Sequence, residues 1–144
     1  MIGLDTSYLV GLAIREHPSH RACRRLFESE IVGKVGSTAI AAQALAEFCH
    51  VVTDPRRFER PFEMSEALEI CEQWWHAEEC RPAPVDSNAG ALFVTWMHQH
   101  RLGRKHLLDT LLAATYHCLG VHRLASTNWR DFERYGAFDV IRIS

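Results

Sequence analysis

The chain has 144 residues, 47% of them hydrophobic and 24% charged, the size and make-up of one globular domain around a single core. That balance excludes intrinsic disorder, and no apolar run approaches the ~20 residues that a membrane-spanning helix needs. Lys and Arg number 16 against 18 Asp and Glu, a net charge of −2, so bulk electrostatics give no reason to expect a polyanionic partner and any nucleic-acid contact must come from local features.

Ile2 to Leu4 predict a short strand leading straight into a helix begun by Tyr8-Leu9-Val10, with the hydroxyls of Thr6 and Ser7, or Asp5 itself, available to cap it. A second helix is expected from Pro18-Ser19, with Ala22, Leu26 and Phe27 inward and Arg21, Arg24, Arg25 and Glu28 outward. Val32 to Ser37 reads as a short strand, and Thr38 to Val52 as one long Ala-rich helix with Ile40, Ala44, Phe48 and Val51 at three-to-four spacing. Arg56-Arg57-Phe58-Glu59-Arg60-Pro61 is a charged loop, Ser65 to Glu79 a helix, and Pro82 to Val85 a connecting or edge strand. Asp86 or Ser87 caps a helix through His100, which Leu102-Gly103 ends. His106 to Leu119 is a further helix closed by Gly120, and Arg123 to Ser126 is a strand. Asp131 caps a single turn reaching Tyr135, and Val140, Ile141 and Ile143 mark the last strand. Short apolar strands alternating with helices predict one α/β domain over residues 1–144, its parallel sheet covered on both faces.

The cysteines, Cys23, Cys49, Cys71, Cys80 and Cys118, are odd in number and contain no CxxC pair, which favours free, mostly buried thiols over a disulfide framework or a zinc knuckle. Asp5 interrupts the N-terminus too soon for the apolar core of a signal peptide, so a cytoplasmic protein is expected.

In an open α/β sheet, ligand sites lie beyond the carboxyl ends of the strands. Asp5 follows the first strand directly, and Asn128 and Asp131 follow the strand from Arg123. Glu47 and Asp109 lie on helices that reach the same edge. Carboxylates gathered in one place repel one another unless a cation accompanies them, and oxygen donors of this kind suit Mg2+ or Mn2+. Such a site supports metal-assisted hydrolysis of a phosphodiester.

Four segments, Gly3-Leu4-Asp5-Thr6-Ser7, Leu45-Ala46-Glu47-Phe48, Leu108-Asp109-Thr110-Leu111-Leu112-Ala113-Ala114 and Ser126-Thr127-Asn128-Trp129-Arg130-Asp131-Phe132, occur in the order and at the intervals of a known family. Together they span almost the whole chain, and in them it resembles the PIN-domain nucleases, and among these the toxins of type II VapBC toxin–antitoxin modules. The resemblance implies a three-layer α/β/α fold with a small, mainly parallel sheet, a Mg2+ or Mn2+ site, and endonucleolytic cleavage of RNA. It also implies a cognate antitoxin that inserts a segment beside the site, and a homodimer. Carried over residue by residue, Asp5, Glu47 and Asp109 take the family's three acidic positions and would bind the metal. Where many members carry a further Asp this chain has Asn128, with Asp131 three residues later. Asn is a neutral oxygen donor, which lowers the ligand charge by one and should weaken a second metal more than the first. The hydroxyls of Thr6, Ser7 and Ser126 stand where they could orient the carboxylates.

Each of these residues also has an ordinary use. Asp5 and Asp131 could simply be helix caps, and Asp109 in a first helical turn is favoured by the macrodipole. Glu47 resists such an account, because Leu45, Ala46 and Phe48 suggest a mostly buried segment in which a lone carboxylate is costly. Solvated faces explain most of the basic groups, Arg21-Arg24-Arg25 and Arg56-Arg57-Arg60 among them. The third group precedes the Asp109 helix, which makes Arg104, Lys105 and His106 candidate RNA contacts. Trp129, beside Asn128, is either a platform for an RNA base or a packing residue; Trp74, Trp75 and Trp96 read as core or interface. Two functions remain open: a metal-dependent endoribonuclease, or a catalytically weak or inactive PIN-like protein-binding module whose pocket lacks one acid at Asn128.

Overall fold

The structure, a computed structural model, describes all 144 residues. Five strands, β1 (Ile2–Leu4), β2 (Thr38–Ala41), β3 (Cys80–Ala83), β4 (Arg123–Ser126) and β5 (Asp139–Arg142), form one sheet in the order β3-β2-β1-β4-β5. Every pairing is parallel, so the sheet is wholly rather than mainly parallel. The seven helices are α1 (Thr6–Ala13), α2 (His20–Leu26), α3 (Ala42–Val52), α4 (Met64–His76), α5 (Ser87–Gln99), α6 (Leu107–Cys118) and α7 (Trp129–Glu133). Helices α1 to α4 pack on one another, as do α5 to α7, which makes the three-layer α/β/α arrangement. Residues of the three central strands, from Ile2 and Leu4 through Thr38 to Ala41 and Leu124 to Ser126, are buried, as a parallel sheet covered on both faces demands. No helix is long and apolar enough to cross a membrane.

From β1 the chain grows outward to β2 and β3, then returns past β1 to add β4 and β5. The growth direction reverses at β1, which makes the carboxyl ends of β1 and β4 a topological switch point. Tyr116 of α6 fixes this region from below. It is fully buried, its hydroxyl donates to the Leu4 carbonyl, and it accepts from the Ala41 N–H at 3.2 Å. One side chain thereby joins the ends of β1 and β2 and sets α6, with Asp109 near its start, against the sheet. Gly3 makes room for it: a Cβ there would lie 2.8 Å from Tyr116 Cδ2.

Several expected elements shift. Val32 to Ser37 is a succession of turns, with Gly33 and Gly36 at φ 75° and 65°. The second strand is instead Thr38–Ala41, and the long Ala-rich helix begins only at Ala42. Those four residues favour a helix as readily as a strand, but pairing with β1 and β3 on either side decides for the sheet. Helix α5 ends with Arg101 in the left-handed region (φ 51°), whereas Gly103 has φ −101°. Asp131 lies inside α7 rather than capping it; Asn128 holds the cap position without a side-chain bond. Helix α4 starts with a reciprocal capping box between Glu63 and Glu66 and stops at His76, short of Glu79. Of the thiols, Cys23 and Cys49 are buried, Cys71 and Cys80 half-buried, and Cys118 exposed.

Candidate active site

Asp5 is the residue between β1 and α1. Its backbone is extended, and its Oδ1 accepts from the Tyr8 N–H at 2.9 Å, so it does cap the helix. The Ser7 hydroxyl donates to the same oxygen at 2.7 Å, and the Ser126 hydroxyl donates to Oδ2 at 2.6 Å. Both hydroxyls accept in turn, Ser7 from the Thr127 N–H at 3.0 Å and Ser126 from the Asn128 N–H at 2.9 Å. The loops after β1 and β4 are thus bound together through one carboxylate. A carboxylate offers about four acceptor positions. Protein donors take two on Oδ1 and one on Oδ2, which leaves Oδ2 able to accept once more. Burial pushes the Asp5 carboxyl up to about 6 against these three donors, and the charge of Asp109 adds to the rise.

Glu47, on α3, is half-buried, and its Oε2 accepts from the Thr6 hydroxyl at 2.8 Å. The segment expected to be mostly buried is so on one side only: Leu45 and Phe48 face the core, whereas Ala46 is exposed. Asp109 lies in the first turn of α6, half-buried; burial raises its pKa, the charges of Asp131 and Glu47 raise it further, and His106 and Arg134 oppose the rise. Like charges therefore act on one another from Asp5 to Asp109 and from Asp109 to Glu47 and Asp131.

Asp5, Glu47, Asp109 and Asn128, with Thr6 and Ser7, line one cavity of about 720 Å³ at the switch point of the sheet. Asp131 does not line it. It shares a smaller cavity of about 390 Å³ with Asn128 and Trp129, and accepts from Arg134 Nη2 at 3.0 Å. The cavity wall carries the imidazoles of His17 and His50 as well, but Asp5, Glu47, Asp109 and Asn128 offer oxygen alone, three of them as carboxylates, a chemistry that fits Mg2+ or Mn2+. They surround the space without closing into a converged set of three ligands.

Ser126 is buried behind Asp5, and the Ser7 and Thr6 hydroxyls donate to Asp5 and Glu47. Arg104 and Lys105 are exposed on a 3-10 turn before α6 and do not line the cavity. His106 is half-buried outside it, close enough to act on Asp109. The Trp129 ring lies 4.2 Å from the Arg142 guanidinium and 4.8 Å from that of Arg130, so its π-surface is engaged within the protein. Trp96 is core, stacked on Tyr135 at 4.8 Å.

The cavity also recruits His17, Gln43, His50, Arg57 and Phe58, none of which the sequence singled out for it. For two of them a signal existed: Gln43, Glu47 and His50 recur at i, i+4 and i+7, a polar stripe on an otherwise apolar helix. His17 and the pair Arg57-Phe58 carry no comparable local pattern.

The PIN domain family model matches residues 2–137. Ribonuclease VapC24 of Mycobacterium tuberculosis is 30% identical over 142 residues, covering 94% of this chain and 92% of the relative. Among solved structures, VapC20 of Mycobacterium tuberculosis, described as a sarcin-ricin loop cleaving toxin, superposes with a TM-score of 0.75 at 18% identity over 99% of each chain. VapBC2 from Rickettsia felis, bound to a DNA fragment from its promoter, gives 0.67 at 16% identity over 100% of each chain. The family match covers nearly all of the sequence and the fold agrees with it: the chain belongs to the PIN-domain family.

Proposed function

We propose that this protein is a Mg2+- or Mn2+-dependent endoribonuclease, the toxin of a type II toxin–antitoxin module. The observation that carries the reading is that Asp5, Glu47, Asp109 and Asn128 line one cavity at the switch point of the sheet. Membership of the PIN family supports a nuclease, and the similarity to a ribonuclease and to a toxin that cleaves the sarcin-ricin loop supports RNA as the substrate. Toxin–antitoxin complexes of the same fold support a cognate antitoxin as partner. Under this reading the protein works in the cytoplasm, as a homodimer.

Asp5, Asp109 and Glu47 would hold the ion, whose chemistry is to neutralise charge on the scissile phosphate and to acidify a water. Asp5 is preset for this by Ser7, Ser126 and the Tyr8 N–H, so its free acceptor position points the same way before and after binding. Thr6 engages only Oε2 of Glu47, leaving Oε1 free either to bind the ion or, in place of that, to take a proton from the attacking water. Asn128 completes the polar lining, and Asp131 acts on Asp109 through its charge.

The test is cleavage of RNA by the purified protein with Mg2+, with EDTA, and as Asp5→Asn and Asp109→Asn. Activity should require the metal and vanish in both variants, with circular dichroism unchanged. Full activity in either variant, or with EDTA, refutes the mechanism. The protein-binding alternative draws on Asn128 replacing an acid, and a Mg2+ titration by calorimetry separates it: no saturable binding into the tens of millimolar would favour it.

A further inference from the structure

The carboxylate cavity has a single guanidinium on its wall. Arg57 is the only Arg or Lys among its lining residues and belongs to the basic group Arg56-Arg57-Arg60. It sits in the loop between α3 and α4, which is firmly built. The Asp54 carbonyl accepts from the N–H groups of Arg57 at 3.1 Å and Phe58 at 3.2 Å, and the Phe62 N–H donates to the Val52 carbonyl at 2.8 Å, tying the loop's ends. The Arg57 side chain lies 3.6 Å from Asp54 Oδ2 yet stays 58% exposed, so it is steered without being used up. On the same cavity, Gln43 Nε2 is shielded from solvent and has no hydrogen-bond partner in the protein. A buried donor left unpaired is costly until an acceptor reaches it. A second cavity of about 730 Å³ adjoins the first, and His17 and Phe58 line both. Arg15, Arg60 and Phe62 lie on its walls, with Glu16 and Glu59 beside them.

We propose that Arg57 and Gln43 hold the phosphate next to the scissile one in a single-stranded RNA, and that Phe58 carries the adjoining base. The strand then runs from the carboxylates past His17 and Phe58 into the second cavity. The inference rests on the endoribonuclease reading and supplies what that reading lacks, a cationic side chain on the cavity wall for a polyanion that the carboxylates repel. A guanidinium meets a phosphate through two parallel hydrogen bonds, an amide N–H adds a third, and an aromatic face accepts any base. The electrostatic grip therefore belongs to the loop after α3 and not to Arg104 and Lys105, which lie outside the cavity.

The probe is a short fluorescein-labelled single-stranded RNA, followed by stopped-flow anisotropy in Mg2+ before turnover and by steady-state cleavage. Arg57→Ala should raise Kd and KM about tenfold and leave kcat within about twofold. It should also flatten the slope of log affinity against log salt by ~0.7 between about 50 and 400 mM KCl, the change for one lost phosphate contact on a single strand. Arg57→Lys should restore the slope but less of the affinity, because an ammonium cannot pair bidentately. Gln43→Leu should raise KM with the slope unchanged. The double variant Arg104→Ala with Lys105→Ala should match the wild type, and losses there in place of Arg57→Ala overturn the assignment. If the wild type binds and cuts the RNA while Arg57→Ala has the same Kd and slope, the assignment fails and this wall is left to a protein partner. If the wild type neither binds nor cuts RNA, the endoribonuclease reading itself fails, and this inference with it.

Discussion

Replacing Asp5 by Asn should stabilise the protein in EDTA at neutral pH. Burial raises the Asp5 carboxyl from 3.8 to about 6, so between those values the folded protein holds a proton that the unfolded chain has released. Stability from this group is therefore fully present at low pH and is lost as pH rises through that window. The full loss is the difference of about 2.2 multiplied by 1.36, or about 3 kcal/mol, and Asp5 is 5% exposed, so solvent does little to screen it. An amide carries no charge and pays no such penalty. Its oxygen still accepts from Ser7 and Tyr8, while its NH2 can donate to the Ser126 oxygen once that hydroxyl turns toward Ser7, 3.3 Å away. Urea unfolding followed by Trp fluorescence should show Asp5→Asn more stable than the wild type by about 3 kcal/mol near pH 7.5 and by about 1 kcal/mol near pH 4.5. Mn2+ should reverse the order at pH 7.5, because only the carboxylate rewards the ion. A gap that does not change with pH, or a variant less stable than the wild type in EDTA at pH 7.5, would refute the reasoning: the three hydrogen bonds would then suffice to keep Asp5 an ordinary acid.

Ser126→Ala removes the donor on Asp5 Oδ2 and should weaken Mn2+ binding by about 10–100-fold by calorimetry, with the fold retained. Asp131→Asn should lower RNA cleavage far less than Asp109→Asn, since Asp131 lies outside the carboxylate cavity; equal losses in kcat would show that it belongs to the centre. Gly3→Ala drives a methyl to 2.8 Å from a Tyr116 ring that two hydrogen bonds hold in place, and urea unfolding should register a loss of about 1–3 kcal/mol. Tyr116→Phe leaves the Leu4 carbonyl and the Ala41 N–H without that hydroxyl, which should cost about 1–3 kcal/mol in the same assay.

What the amino-acid sequence determines by itself is whatever depends on near neighbours. A strand of three apolar residues ending at an acid, the strand from Arg123 to Ser126, and helices α5 and α6 are legible because periodicity and caps act within a few residues, as the Asp86 bond to the Ala89 N–H illustrates. The acids Asp5, Glu47 and Asp109 stand out through the four-segment resemblance, and in the structure all three line one cavity. Asp5 caps α1 and still lines the cavity, because its carboxylate has oxygens enough for both. Tertiary structure decided the rest, because it turned on contacts between distant residues. Pairing with β1 and β3 made Thr38–Ala41 a strand, although its two alanines favour a helix. Arg142, thirteen residues further along, meets the Trp129 ring, and no local pattern announces that. The basic residues offer the clearest contrast. Arg104 and Lys105 stand near Asp109 in sequence but face solvent, whereas Arg57 is brought to the carboxylates by a loop whose closure at Val52 and Phe62 only the folded chain creates. Charge and hydrophobicity are properties of residues, but which charges share a cavity is a property of the packing around them.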